Sequence, residues 1–169
     1  MSRGELEREV AALLTEGKLT VAVAESCTGG LLGHRLTSVP GSSAYFVGGV
    51  IAYSNEIKTK VLGVGFDVLR KEGAVSDTVA RLMAIAVRGR FEADLGVAIT
   101  GVAGPGGGSD EKPVGLVYIA LADSKRCRVC RHDLCGKRRA TVKMASSTGA
   151  LEMMREFLKK EGEHHGEEE

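Results

Sequence analysis

The chain of 169 residues carries 23 glycines, no tryptophan and only 4% aromatics, with 43% hydrophobic and 27% charged side chains. This excludes a disordered chain, and no apolar run approaches the ~18 residues a bilayer span requires. A formal charge of +1, from 23 basic and 22 acidic side chains, offers no broad cationic field for a phosphate backbone and few rings to stack on bases, which argues against nucleic acid and membrane alike.

The length suits one domain over residues 1–160 that buries its own core. Four cysteines, Cys27, Cys127, Cys130 and Cys135, are too few for a disulfide scaffold. With a charged amino terminus where a leader would be apolar, they read as free thiols of a cytoplasmic protein.

Leu6, Val10, Leu13 and Leu14 recur at helical spacing until Gly17 stops the helix, and Leu19 to Ala24 reads as a buried strand. That strand runs into Glu25-Ser26-Cys27-Thr28-Gly29-Gly30, a short helix from Leu31 to Leu36, and the turn formers Ser38 to Ser43. Val47 to Tyr53 suits a second strand, with Ser54 or Asn55 capping a helix through Lys58 to Leu62. Ser76 caps a long helix striped by Val79, Leu82, Met83, Ala86 and Val87. Three strands follow, Leu95 to Thr100, Val114 to Ala122 and Arg126 to Leu134. The last helix spans about 138–160, with Leu151, Met154 and Leu158 on one face. Glutamate-rich residues 161–169 read as a disordered tail. Helices alternating with short apolar strands predict an α/β fold, a three-layer α/β/α sandwich on a mixed, mostly parallel sheet.

Two loops stand at strand ends, where open α/β sheets bind ligands: Ser26 to Gly30, and Thr100 to Gly108. Both lack bulky side chains, so their amides can surround an oxyanion or a phosphate, although each is also compatible with a plain tight turn. Neither matches a named nucleotide motif. Ser26, Cys27 and Thr28 are the candidate nucleophiles, and each needs a base. His164 and His165 sit in the tail and His132 lies among arginines, so no Ser/His/Asp triad is evident. Lys58 is the remaining base; its plain alternative is a solvated helix lysine. Cys127 and Cys130, with His132 and Cys135, invite a zinc reading, but no glycine or proline makes the tight turn of a zinc knuckle, and on a strand the two cysteines face opposite sides. No metal and no cofactor is expected.

The runs Ala24 to Gly30, Pro40 to Ser43, Gly48 to Asn55 with Lys58, Gly73 to Ser76, Thr100 to Gly107 and Lys112 to Gly115 together resemble the CinA carboxyl-terminal domain family, which includes stand-alone PncC-type nicotinamide-nucleotide amidohydrolases. The resemblance covers residues 6–158 and implies hydrolysis of the carboxamide of nicotinamide mononucleotide, without metal, on the α/β/α sandwich read above. It makes Ser26 the nucleophile, Lys58 the general base and Tyr53 the hydroxyl beside them. The expected substrate-binding set is Thr28, Gly29, Gly30, Ser42, Ser43, Thr100, Gly101, Gly104 and Arg139, with amides of the two loops holding the oxyanion and Arg139 also depressing the Lys58 pKa. The family's arginine motif before the last helix is altered here to Gly136-Lys137-Arg138-Arg139-Ala140-Thr141-Val142-Lys143, which leaves Arg138 and Arg139 both open and puts Lys143 where an arginine is usual. A non-catalytic nucleotide-binding module is the other reading. A homodimer is the expectation for a soluble oligomer.

Overall fold

A computed structural model of the protein describes residues 4–165, with side chains as far as residue 160. Helix α1 (Glu5–Glu16) buries Leu6, Val10, Ala11 and Leu14 on one face, and β1 (Val21–Glu25) is buried throughout. Helix α2 (Leu31–Thr37), a 3₁₀ turn (Ser42–Ala44) and β2 (Phe46–Ile51) follow. Three helices then come in succession: α3 (Asn55–Leu62), α4 (Phe66–Glu72) and α5 (Asp77–Arg90). Of the two candidate caps for α3, Ser54 is the one used, its hydroxyl accepting from the Ile57 N–H at 3.2 Å. Helix α4 is an element the periodicity did not reveal. Strands β3 (Leu95–Gly101), β4 (Leu116–Ala122) and β5 (Cys127–Asp133) lead to α6 (Arg139–His165). The backbone of 161–165 thus continues α6 instead of starting a tail, and residues 166–169 lie outside the described residues.

The sheet order is β2-β1-β3-β4-β5. β1 pairs parallel with both β2 and β3, whereas β3–β4 and β4–β5 are antiparallel, so β4 alone runs against the others. The connections explain this: α2 and the α3 to α5 run supply the long crossovers that parallel strands need, while the stretches joining β3 to β4 and β4 to β5 contain no helix. The result is the expected three-layer α/β/α sandwich with a mixed sheet.

The two faces of the sheet are sorted by size. Val21, Val23, Val97, Ile99, Val117, Ile119 and Leu121 meet α1, α2 and α6, whereas Ala22, Ala24, Ala98, Ala120 and Ala122 meet α3, α4 and α5. Small side chains let α5 sit low on the sheet. A Cβ at Gly96 would stand 2.1 Å from the Ala84 carbonyl oxygen, so only glycine permits that approach. Cys127 packs on the α5 side and Cys130 on the α6 side, as alternation along a strand requires. Among the described residues, no helix is long and apolar enough to cross a membrane.

Candidate active site

Where β1 ends, the backbone turns through Ser26 to Gly30 and enters α2. The turn is held from inside the protein. Glu25, 1% exposed, accepts the N–H groups of Gly30 and Leu32, both at 3.1 Å, and of Gly33 at 2.8 Å. The Ser26 N–H donates to the Ile99 carbonyl at 2.9 Å, and the Gly29 N–H donates to the Ser26 carbonyl at 3.1 Å. Ser26 is thereby fixed between β1 and β3.

Lys58 reaches Ser26 from α3. Its Nζ lies 3.1 Å from Ser26 Oγ and donates to the Ala52 carbonyl at 2.7 Å, with the Tyr53 carbonyl at 3.5 Å. The side chain is 1% exposed. Burial pushes its pKa below the ordinary lysine value, opposed by the nearby Cys27 sulfur. Two carbonyls accept from the amine and no carboxylate pairs with it in these contacts, so the nitrogen can turn its lone pair to Ser26. The expected contribution of Arg139 to this shift is not found; desolvation carries it.

These groups open into a cleft of about 260 Å³ lined by Ser26, Cys27, Tyr53 and Lys58, by Ala74 and Val75, by the chain from Thr100 to Gly107 apart from Pro105, and by Arg139. Arg139 Nη1 donates to the Gly104 carbonyl at 2.7 Å and Nη2 to the Tyr53 hydroxyl at 3.1 Å. Of the two candidate arginines, Arg139 is the one on the cleft. The Tyr53 hydroxyl therefore sits with Arg139; it is the Tyr53 carbonyl that approaches Lys58.

Several expected site residues are placed elsewhere. Ser42 and Ser43 precede β2, and Val21 pairs with Phe46 while Glu25 pairs with Ile51. They therefore lie at the opposite end of the sheet, roughly 20 Å away at a strand rise of ~3.3 Å per residue. Thr28 is fully buried and does not line the cleft, and its hydroxyl has no partner among the described residues. The Gly29 and Gly30 N–H groups are consumed by Ser26 and Glu25, so neither is available to an oxyanion. Thr100 lines the cleft, but its hydroxyl donates to the Ala74 carbonyl at 2.7 Å. Cys27 is 5% exposed, and burial pushes its thiol up to about 11, which keeps it protonated and inert near neutral pH. Ala74 and Val75 also line the cleft, outside the expected binding set; their sequence signal is the Gly73 to Ser76 run, one of those that carry the family resemblance.

Among the described residues, no group of three or more His, Cys, Asp or Glu side chains is placed to hold a metal ion. The zinc reading of the β5 cysteines thus finds no ligand cluster.

The model of the CinA C-terminal domain matches residues 3–158. A CinA-like protein of Syntrophus aciditrophicus is 54% identical over 155 residues, covering 90% of this chain and 36% of that protein, so the chain spans about a third of the relative's length. Among solved structures, the competence/damage inducible protein CihA from Agrobacterium tumefaciens superposes with a TM-score of 0.88 at 41% identity, covering 89% of this chain and 92% of that one. A competence-damaged protein (CinA) superfamily protein from Klebsiella pneumoniae gives 0.90 at 31% identity, covering 95% and 99%. With its fold, its strand-end loops and these likenesses in agreement, the chain belongs to the CinA C-terminal domain family.

Proposed function

We propose that the protein is an amidohydrolase that converts nicotinamide mononucleotide to nicotinate mononucleotide and ammonia through an acyl-enzyme on Ser26. The observation that carries the chemistry is the buried Lys58 Nζ 3.1 Å from Ser26 Oγ. The neutral amine takes the Ser26 proton as Oγ attacks the carboxamide carbon. The resulting ammonium protonates the departing nitrogen as the C–N bond breaks, and water then hydrolyses the Ser26 ester with Lys58 again as base.

Backbone alternation supplies an oxyanion donor. The Val102 N–H bonds Leu116 on the β4 side, and the Ile99 carbonyl bonds Ser26 on the β1 side. The Gly101 N–H, between them in phase with Ile99, faces the Ser26 side, where β1 has ended and the cleft begins. The substrate class rests on the family resemblance and on charge: Arg139 is a fixed cation in a cleft whose lining holds no carboxylate, which favours an anionic ligand such as a phosphate monoester. Unpaired thiols suit a reducing, cytoplasmic setting.

The test is ammonia release from nicotinamide mononucleotide by metal-free protein. Ser26→Ala is expected to lower the rate by about 10⁴-fold, whereas Cys27→Ser stays within about threefold of wild type. Loss of activity in Cys27→Ser with retention in Ser26→Ala would reverse the assignment, and saturable binding of the nucleotide without ammonia would make the domain a binding module.

A further inference from the structure

The glycine-rich loop that follows β3 carries Gly104, Gly106 and Gly107 to the cleft and then runs out through the exposed residues Gly108 to Glu111. Such a loop has little side-chain packing of its own to hold it. Two attachments stand out. At its start, the Gly104 carbonyl accepts from Arg139. At its end, Lys112 closes a tight turn, its N–H donating to Ser109 Oγ at 3.1 Å and its carbonyl accepting from the Ser109 N–H at 2.9 Å.

The Lys112 side chain then leaves the loop. Its part-buried Nζ donates to the carbonyl of Glu72, the last residue of α4. A cation is favoured at a helix carboxyl end, where carbonyls lack intrahelical partners. The chain turns away directly after this contact: Gly73 ends α4 at φ +73°, a left-handed conformation that glycine adopts without strain. The next two residues, Ala74 and Val75, line the cleft, and Thr100 holds the Ala74 carbonyl from the β3 side.

We propose that Lys112 is a positioning residue. It ties the end of the glycine-rich loop to the end of α4, and so sets the spacing between two stretches of cleft lining, Ala74–Val75 and Gly104–Gly107, without touching the reacting atoms. The inference rests on the amidohydrolase reading for its kinetic consequence but not for its structural one. Cutting the tie leaves Ser26 and Lys58 in place, so it weakens substrate binding more than the chemical step.

The experiment compares Lys112→Met, which keeps the aliphatic stem and removes the donor, with Lys112→Arg, which keeps a donor. In Lys112→Met, KM for nicotinamide mononucleotide is expected to rise about tenfold with kcat within about threefold and the pH profile unmoved, and Lys112→Arg is expected to restore most of the loss. Independently of any substrate, amide exchange in 73–75 and 104–112 is expected to quicken about tenfold in Lys112→Met, while α1 and β1 keep wild-type protection. Unchanged exchange in those two segments overturns the tie. So does an equal fall in kcat and thermal stability with KM unmoved, which would mark a general structural role. If wild-type protein releases no ammonia, the exchange arm alone decides, and the failure then belongs to the amidohydrolase reading.

Discussion

A lysine taken out of water and given only carbonyl and hydroxyl partners has its charged form penalised, so burial lowers the pKa of Lys58 below the ordinary lysine value of 10.5, which is what the proposed role of general base requires. The unfolded chain binds more protons than the folded one between the depressed folded pKa and 10.5, so stability rises with pH across that window and the cost of burial is felt below it. The pH profile of kcat/KM for ammonia release is accordingly expected to rise to a plateau with its midpoint below 10.5. Lys58→Met should lower the rate by about 10³-fold or more and flatten the dependence of unfolding free energy on pH over the same window. A profile rising only with a midpoint at or above 10.5 would remove Lys58 from the role of base. Ser26 and Lys58 were legible as residues, a serine at a strand-to-helix turn and a lysine just beyond another strand end. Their meeting was not, because 32 positions of chain separate them and only the parallel pairing of β1 with β2 brings both strand ends to one edge.

At the scale of elements, α2 is the instructive case. Its opening amides look from sequence like an anion site beside Ser26, yet Glu25 fills it with three N–H bonds, which on the proposed function leaves Arg139 on α6 as the cation for an anionic group of the substrate. Glu25→Gln keeps the shape but turns an NH₂ toward amide N–H groups. It is expected to reduce the unfolding free energy by about 2–3 kcal/mol, read from urea denaturation, with Ser26 less well ordered. Stability within error of wild type would mean that the turn is held by its other bonds. Arg35 on α2 adds a second restraint, reaching Glu7 at 2.7 Å on α1 and Ser147 and Thr148 at 2.9 and 2.7 Å on α6. Helix α4 escaped notice because its 7 residues, with glycines at 63, 65 and 73 around them, are too few to display a period. The distance of Ser42 and Ser43 from the cleft is hidden for a related reason: a Gly-Ser-Ser turn has the composition of a phosphate loop at either end of a strand, and composition does not say which end.

For the whole molecule, the five strands were legible as short segments between helices and turns, but the antiparallel course of β4 and the division of labour between the two sheet faces were not. Alternation of Val or Ile with Ala along β1, β3 and β4 marks a deep layer with α1, α2 and α6 and a shallow one with α3, α4 and α5. The two layers share the same five strands, so they are expected to melt together. Leu151→Ala on one face and Met83→Ala on the other, both fully buried, should each lower the unfolding free energy by about 2–5 kcal/mol within a single cooperative transition. Two resolved transitions in either variant would show that the layers fold separately.

The distribution of sulfur has a practical consequence. Cys27 is enclosed with a thiol held near 11, Cys127 and Cys130 are half-buried on opposite faces of β5, and Cys135 alone stands exposed. An electrophilic dye at mildly alkaline pH is thus steered to Cys135, four positions before Arg139. A fluorophore there rides on the segment leading into α6 while leaving Ser26, Lys58 and the glycine-rich loop unmodified. The native chain therefore carries a built-in attachment point from which to test whether the segment bearing the cleft arginine moves when a nucleotide is added, with no engineered cysteine required.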